Sequence, residues 1–373
     1  MQSEIQYPSV RPVSGILNSI SIKGFKSIKE CNLDLGYMNV LIGSNGSGKS
    51  NLLSVFDMLH HVIDKSLSLY VGKRTRNAML FNGLKQTKSI EVEFGFDDYG
   101  YGFTLAATDD NRLIFDEEHF SFDSTNHTLG NGHSESKWES VIDDPLGTHL
   151  MPLFKGHAWR IYHFHDTGRD SRMKQSSYIN NNIQLTDDAG NLAPFLYRLK
   201  HANRFHYDRI VEAVRIVAPY FDDFILCPEP LNKDYIHLEW KAVGNDEPFN
   251  AHQLSDGTLR FICLATLLLQ PTELQPQTIV IDEPELGLHP AAITVLVDIM
   301  DEVTTRINDK KQIIISTQSV ELLNQFRPED IIVVDREDNE SVFRRIDVES
   351  LSTWVEDYTL GEMWIKNLFG GRP

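Results

Sequence analysis

The feature that most constrains the fold is a glycine-rich loop between a predicted strand and a predicted helix. Residues 43–50 read Gly-Ser-Asn-Gly-Ser-Gly-Lys-Ser and fit the pattern G-x-x-x-x-G-K-[ST]. The apolar run 38–42 precedes this loop, and a run of helical character, 51–63, follows it. Glycines let backbone N–H groups wrap a phosphate, and the helix N-terminus adds about half a positive charge. The pattern therefore predicts a loop that binds the phosphates of a nucleotide.

Two side chains of this loop have predicted roles of their own. We expect Lys49 to reach the β- and γ-phosphates of ATP and Ser50 to bind Mg²⁺. An ordinary glycine-rich turn is the alternative interpretation, and a second motif argues against it. The other residues of this segment that we expect to contact the nucleotide are Gly43, Asn45, Gly46, Ser47, Gly48 and Asn51.

The second motif is a pair of acids at the end of a predicted strand. Residues 278–284 read Thr-Ile-Val-Ile-Asp-Glu-Pro, and this β-branched run is typical of a strand buried in a parallel sheet. We expect Asp282 to hold Mg²⁺, usually through water, and Glu283 to orient or deprotonate the water that attacks the γ-phosphate. An acid pair can also be a helix cap, but beside a phosphate-binding loop it favours an ATPase that releases ADP and phosphate.

Composition and charge narrow the class of protein. The 373 residues carry a net charge of −18. Binding nucleic acid requires clustered Lys and Arg, so this charge argues against a protein that binds nucleic acid over its whole surface. DNA contact is therefore expected only locally or through a partner. Cys31, Cys227 and Cys263 form no C-x-x-C pair, which argues against a zinc ribbon or a disulfide framework. The apolar run 261–269 is shorter than the roughly 20 residues that cross a bilayer, and no leader is evident, so we expect a cytoplasmic protein without a membrane partner.

The order of predicted elements indicates an α/β fold in one ATPase domain spanning 1–373. Period-two alternation within 89–122 predicts an antiparallel meander, and helical spacing predicts a helical insertion at 192–218. After the insertion, strands and helices alternate, as in a parallel sheet covered by helices. The expected parts are an N-terminal β and phosphate-loop lobe, an insertion and a lobe with the remaining motifs: 16–123, 124–250 and 251–373.

Three further segments resemble a known family over nearly the whole chain. Residues 22–27 (Ile-Lys-Gly-Phe-Lys-Ser), 254–258 (Leu-Ser-Asp-Gly-Thr) and 282–290 resemble the start, the signature motif and the Walker B motif with D-loop of ABC-type ATPase heads. The resemblance is greatest to the SMC, RecF and OLD branch. Segments 162–167 and 370–373 look like bacterial AAA-family ATPases without a coiled coil or a TOPRIM domain. This resemblance implies a P-loop NTPase head with a mostly parallel core sheet, an N-terminal antiparallel β subdomain and a helical insertion.

The resemblance also implies that two heads sandwich two ATP molecules, so a homo-oligomer is expected. Ser255 and the N–H groups around Gly257 open a helix beginning near Thr258, which makes an anion-binding terminus for the γ-phosphate held by the partner. The alternative is that Ser255 only caps a core helix. Lys26, in the opening segment, is implied to bind the nucleotide.

The sequence departs from the family pattern in three places. Asp256 replaces a glycine of the transporter signature and would lie near the incoming phosphates, where it could slow closure or bind a cation. Gln318 stands where many relatives have a switch histidine; it is implied to be catalytic, since an amide still hydrogen-bonds the γ-phosphate, but with modest turnover. The residue that occupies the Q-loop position is not assigned, because Gln86 and the segment 163–167 are both candidates.

Histidines and basic residues after a predicted strand allow a second kind of site. His163 and His165 share one strand face and could bind a metal, although hydrogen bonding beside the nucleotide is the favoured interpretation. Arg169, Arg172 and Lys174 follow in a polar loop, where a solvated charged loop is favoured over contact with phosphate or DNA.

The favoured function is a Mg²⁺-dependent ATPase that dimerises through ATP and regulates a separate effector, such as a nuclease in anti-phage defence or DNA repair. The nuclease rests on the resemblance alone, because OLD-type proteins carry a TOPRIM domain after the head and the residues after Asp335 are expected to be too few for one. An energy-coupling subunit of a membrane transporter is the first alternative. The second is a nonhydrolysing ATP-sensing scaffold, suggested by Gln318 and Asp256.

Overall fold

A computed structural model describes residues 15–110, 112–122, 125–141, 158–351 and 357–372. These residues form two compact units. The first unit falls within Met1–Gly36, Ser50–Trp159 and Asp335–Arg344. The second falls within Tyr37–Lys49, Arg160–Val334 and Arg345–Pro373. The organisation as a single domain over 1–373, with its three parts, stays a prediction.

The described residues form the following strands, helices and turns. The strands are β1 (Ser19–Phe25), β2 (Ile28–Asp34), β3 (Met38–Ile42), β4 (Ser89–Phe96), β5 (Tyr99–Ala107), β6 (Leu113–Phe122), β7 (Thr125–Gly130), β8 (Trp159–Tyr162), β9 (Ser177–Tyr178), β10 (Phe221–Ile225), β11 (Tyr235–Ile236), β12 (Glu239–Ala242), β13 (Phe249–Asn250), β14 (Thr278–Asp282), β15 (Gln312–Thr317), β16 (Ile331–Glu337) and β17 (Glu340–Arg345). The helices are α1 (Lys49–Ile63), α2 (Leu67–Lys73), α3 (Arg76–Met79), α4 (Leu192–Ala202), α5 (Arg204–Val217), α6 (Asp256–Leu269), α7 (Pro290–Thr305), α8 (Val320–Leu323), α9 (Val348–Leu351) and α10 (Leu360–Ile365). Short 3₁₀ turns lie at Trp138–Val141, Arg172–Lys174, Ala251–Gln253, Thr272–Leu274 and Pro328–Asp330.

The first unit is built on an antiparallel sheet with the strand order β2-β1-β4-β5-β6-β7. Strand β4 alternates as the sequence predicts: Ile90, Val92 and Phe94 are buried, whereas Glu91 and Glu93 are exposed. Strands β4, β5 and β6 pair in sequence order, each antiparallel to the next. The meander predicted within 89–122 is therefore confirmed.

The second unit contains a sheet in which β16, β3, β15, β14 and β8 follow one another in that order. The pairs β16–β3, β3–β15 and β15–β14 are parallel. Strands β14 and β15 each have three consecutive β-branched apolar residues at their centre and are almost completely buried, as expected for parallel strands with both faces covered. This confirms the α/β fold with a mostly parallel core sheet. Strand β16 continues into β17 through a hairpin at 338–339.

Helix α6 lies at the centre of the helical layer of the second unit. Every residue from Thr258 to Leu269 is buried, so this part of the helix exposes no face to solvent. Helices α5 and α7 pack on it, and α4 packs on α5. The segment predicted as helical, 192–218, forms two helices, because Asn203 leaves helical geometry with φ −136° and ψ 55°. In the parts of the chain described above, no helix combines the length and apolarity needed to cross a bilayer.

Candidate active site

The phosphate-binding loop joins β3 to the first residue of α1. Gly46 and Gly48 adopt φ values of +78° and +117°, which favour glycine. A Cβ on Gly43 would collide with the carbonyl oxygen of Val334, so only glycine fits there. The buried Lys49 ammonium donates to the Gly43 carbonyl at 2.6 Å and to the Ser44 carbonyl at 3.0 Å. The loop thus holds the Lys49 ammonium against its own backbone carbonyls.

Three predicted nucleotide-binding residues, Lys26, Ser50 and Asn51, belong to the first unit, and two of them, Lys26 and Asn51, take part in a hydrogen-bond network there. Asn51 Nδ2 donates to Ser27 Oγ at 2.6 Å, and Lys26 Nζ donates to Ser54 Oγ at 2.6 Å. The opening turn therefore packs against the first turns of α1. Burial, helped by the charge of Arg74, lowers the pKa of Lys26 to about 8. Ser50 follows Lys49 directly in the chain.

The end of β15 holds three acids: Asp282, the last residue of β14, and Glu283 and Glu285, which follow that strand. The parallel register sets Asp282 opposite Ser316, so the residues beyond both strands meet at one sheet edge. Three consecutive side chains each donate to one carboxylate: Ser316 to Asp282, Thr317 to Glu285 at 2.5 Å, and Gln318 to Glu283. The structure thus brings together the three residues predicted for chemistry and metal binding here, Asp282, Glu283 and Gln318.

Glu283 is held in an unusual backbone conformation. Its φ is +41°, a region that costs a non-glycine residue on the order of 1–3 kcal/mol. Its N–H donates to the Ser316 carbonyl at 3.0 Å, and its carboxylate accepts from the Gln318 amide. Both contacts orient the Glu283 side chain at the edge of the sheet, beside the other two acids.

Glu285 is a further member of this cluster, outside the residues predicted for catalysis or metal binding. Its Oε1 accepts from Thr317 and, at 3.4 Å, from the Gln318 N–H. Its Oε2 is buried and finds no hydrogen-bond partner among the described residues. Burial raises the pKa of Glu285, although the hydrogen bonds from Thr317 and the backbone oppose the shift. The sequence alone gives only a weak signal for the role of Glu285, because the burial of this side chain depends on β15.

Helix α6 begins at Asp256, slightly before the predicted start near Thr258. Ser255 is its N-cap, since Ser255 Oγ accepts from the Thr258 N–H at 3.1 Å. A Cβ on Gly257 would collide with the carbonyl oxygen of Gly287. The signature motif therefore touches the loop that follows the acid cluster, and glycine is required by this close approach.

Arg260 ties the signature helix to the acid cluster. Its guanidinium donates to the carbonyls of Phe164, at 2.9 Å, His165, at 3.1 Å, and Leu286. His165 Nε2 lies 2.8 Å from the carbonyl oxygen of Asp282, which confirms hydrogen bonding for His165. Burial lowers the pKa of Arg260. The segment 163–167 thus connects α6 with the end of β14.

The polar loop that carries Arg169, Arg172 and Lys174 is expected to be solvated, but its basic side chains differ in exposure. Arg169 and Arg172 are exposed, and Arg172 pairs with Asp188 at 2.8 Å. The prediction is wrong for Lys174, whose side chain is 6% exposed. Its ammonium donates to the Thr167 carbonyl at 2.6 Å. Local composition could not reveal this burial, because the partners come from the folded loop and from α6.

Comparisons with known proteins agree with this geometry. Residues 38–324 match the family described as "AAA domain, putative AbiEii toxin, Type IV TA system". One relative, the OLD nuclease of Thermus scotoductus, is 23% identical over 370 residues, which cover 93% of this chain and 68% of the relative.

Two solved SMC heads share the fold. The SMC head bound to the C-winged helix domain of ScpA has a TM-score of 0.60 and 18% identity, covering 90% of this chain and 99% of that one. The SMC head with an extended coiled coil, bound to the C-terminal domain of ScpA from Pyrococcus furiosus, has a TM-score of 0.55 and 16% identity, covering 91% and 98%. The chain therefore belongs to this AAA domain family and has the α/β fold of an SMC- and OLD-like ATPase head.

Proposed function

We propose that the protein is a Mg²⁺-dependent ATPase that hydrolyses ATP to ADP and phosphate. The observation that carries this proposal is the convergence of the phosphate-binding loop and the acid cluster in the second unit. Burial lowers the pKa of Lys49, and the negative charges of Glu283, Asp282 and Glu285 oppose this shift. A phosphate-binding cation thus lies within electrostatic reach of carboxylates suited to a metal and to a reacting water.

The residues present fit a magnesium nucleotide. Backbone N–H groups around the loop glycines would wrap the phosphates, and Lys49 would exchange its two carbonyl partners for phosphate oxygens. Asp282, already oriented by Ser316, would hold Mg²⁺, which when bound neutralises phosphate charge. Ser50 keeps its predicted role as a magnesium ligand. Asn45, Ser47, Asn51 and Lys26 keep their predicted roles in nucleotide binding.

Hydrolysis would depend on Glu283 as the general base. Its carboxylate is oriented from two sides, by its own backbone and by Gln318. Gln318 would donate a hydrogen bond to the γ-phosphate or continue to orient Glu283. Because the Gln318 amide engages the base directly, a nonhydrolysing ATP-sensing scaffold is the second candidate, and the measured turnover separates the two.

We further propose that two copies close around ATP and regulate a separate effector in the cytoplasm. Support comes from Ser255 and Gly257 at the start of α6, and from the relatives: one is named a nuclease, and two SMC heads are bound to a partner protein. The proposal includes a nuclease effector, a role in anti-phage defence or DNA repair, and local or partner-mediated DNA contact; these finer parts rest on the resemblance to the SMC, RecF and OLD branch. A transporter subunit has no comparable support.

Phosphate release from ATP and Mg²⁺ tests the enzymatic proposal. Lys49→Ala should abolish ATP binding, because the cation on the phosphates is lost, whereas Glu283→Gln should keep binding and slow hydrolysis by about 10²-fold or more. Lys233→Ala, which removes an exposed lysine of the second unit, is the control. Near-normal affinity in Lys49→Ala, or an unchanged rate in Glu283→Gln, would contradict the assignment.

A further inference from the structure

The signature motif places a carboxylate where an anion should bind. Asp256 is the first residue of α6, directly after the N-cap Ser255, and its side chain is 65% exposed. The positive end of a helix stabilises such an acid. The same carboxylate would repel a phosphate approaching this terminus. A signature with Asp256 therefore needs a compensating cation before it can accept a γ-phosphate.

Lys174 is placed to supply that charge. It lies at the end of the 3₁₀ turn Arg172–Lys174, and its Nζ is 3.4 Å from Asp256 Oδ1. The side chain is only 6% exposed, and its strongest contact is with the Thr167 carbonyl, at 2.6 Å. Burying an ammonium is costly unless it is paired, so this placement indicates that the pair with Asp256 matters.

Arg260 is a second cation near Asp256, but its hydrogen bonds go to other groups. The negative charge of Asp256 raises the pKa of Arg260, against the lowering by burial. The Arg260 guanidinium, however, donates to the backbone carbonyls of Phe164, His165 and Leu286. In the part of the chain that the structure describes, Lys174 is the cation that forms an ion pair with Asp256.

We propose that Lys174 is a positioning residue for the signature motif, which neutralises Asp256 so that the N-terminus of α6 can accept the γ-phosphate of ATP held by a second copy of this chain. This inference rests on the proposed ATP-driven dimer. Lys174 acts through Asp256 in this scheme, since its ammonium is buried against the Thr167 carbonyl. A direct contact of Lys174 with phosphate would have a different experimental signature.

The test measures ATP-dependent dimerisation by analytical ultracentrifugation in a Glu283→Gln background, where ATP is retained. ATP binding to the single copy is measured in parallel with a fluorescent ATP analogue. Lys174→Met should weaken dimerisation about tenfold or more while ATP binding is unchanged, because Asp256 then faces the phosphate uncompensated. Adding Asp256→Asn to Lys174→Met should restore dimerisation to within about threefold of the parent, since both charges are gone.

Two further variants keep the test independent of folding defects. Asp256→Asn alone should dimerise at least as readily as the parent, because it removes the repelling charge. Lys174→Arg should retain most dimerisation, because it keeps the cation. Lys233→Met serves as the exposed control. Unfolding midpoints are compared for all variants.

Three results would overturn the proposal. Lys174→Met and the parent could dimerise equally, in which case Asp256 needs no compensation. The double variant could stay as defective as Lys174→Met, which would assign Lys174 to phosphate directly. Asp256→Asn could itself lose dimerisation about tenfold, so that the carboxylate is needed rather than tolerated. If the parent binds ATP but does not dimerise, the proposed dimer fails as well, which distinguishes that failure from one confined to Lys174.

Discussion

At the scale of single residues, Glu285 has the clearest measurable signature. Its carboxyl group has a raised pKa because it is buried, and its Oε2 lacks a partner among the described residues. The folded state therefore holds this proton more tightly than the unfolded state. Stability from this group is present below the unfolded pKa and is lost as the pH rises through the folded pKa.

Glu285→Gln should remove this pH dependence. Glutamine resembles the protonated acid and keeps an acceptor for Thr317, so the variant should match the parent at low pH. It should be more stable at neutral pH by on the order of 1 kcal/mol, the scale of one poorly satisfied buried polar group. Denaturant unfolding without nucleotide over a pH series measures this, with the exposed Glu247→Gln as control. A stability difference that does not grow with pH would contradict the shifted pKa.

At the scale of elements, Arg260 joins α6 to the chain segments around the acid cluster. Arg260→Ala would leave the carbonyls of Phe164, His165 and Leu286 without their donor. We expect a loss of about 2–4 kcal/mol in the free energy of unfolding, since the buried Phe164 carbonyl carries a desolvation penalty and the part-buried carbonyls of His165 and Leu286 carry smaller ones.

Unfolding in urea measures the effect of Arg260→Ala. Arg169→Ala, at an exposed position of the second unit, is the control, and Arg260→Lys should show a smaller loss because it keeps one donor. Equal unfolding midpoints for Arg260→Ala and Arg169→Ala would show that the three contacts do not stabilise this part of the fold.

At the scale of the whole molecule, two inactive variants test whether each site combines two copies. Lys49→Ala and Ser255→Arg should both be inactive alone. Their heterodimer carries one intact site, with Lys49 from one chain and Ser255 from the other. Partial ATPase activity should return, at most about half that of the wild-type dimer, because only one of two sites is repaired.

The control for this mixture is Ser255→Ala. It loses the cap, at a cost of about 1 kcal/mol, without adding the bulk and charge of arginine. Heterodimers are followed by crosslinking in the same samples, because coupling between sites could suppress the recovered activity. If no heterodimer forms and Ser255→Arg hydrolyses ATP normally as a monomer, Ser255 is only a helix cap.

The features that short segments of sequence determined are the phosphate-binding loop 43–50, the buried strand before Asp282 and the alternation of β4. Each depends on neighbours a few residues apart: glycines that permit positive φ, β-branched runs that suit a parallel strand, and period-two burial. The α/β class followed from their order. The family followed from the combination of motifs.

Only the tertiary structure decided which of the charged side chains are buried and what they contact. The parallel register of β14 and β15 brings Thr317 to Glu285 and Gln318 to Glu283, although these residues are far apart in the chain. Lys174 lies in a polar loop that its composition predicts to be solvated, yet its ammonium is buried beside Asp256. The reason is physical: the burial and pairing of a charge depend on surfaces that meet only when distant segments pack together.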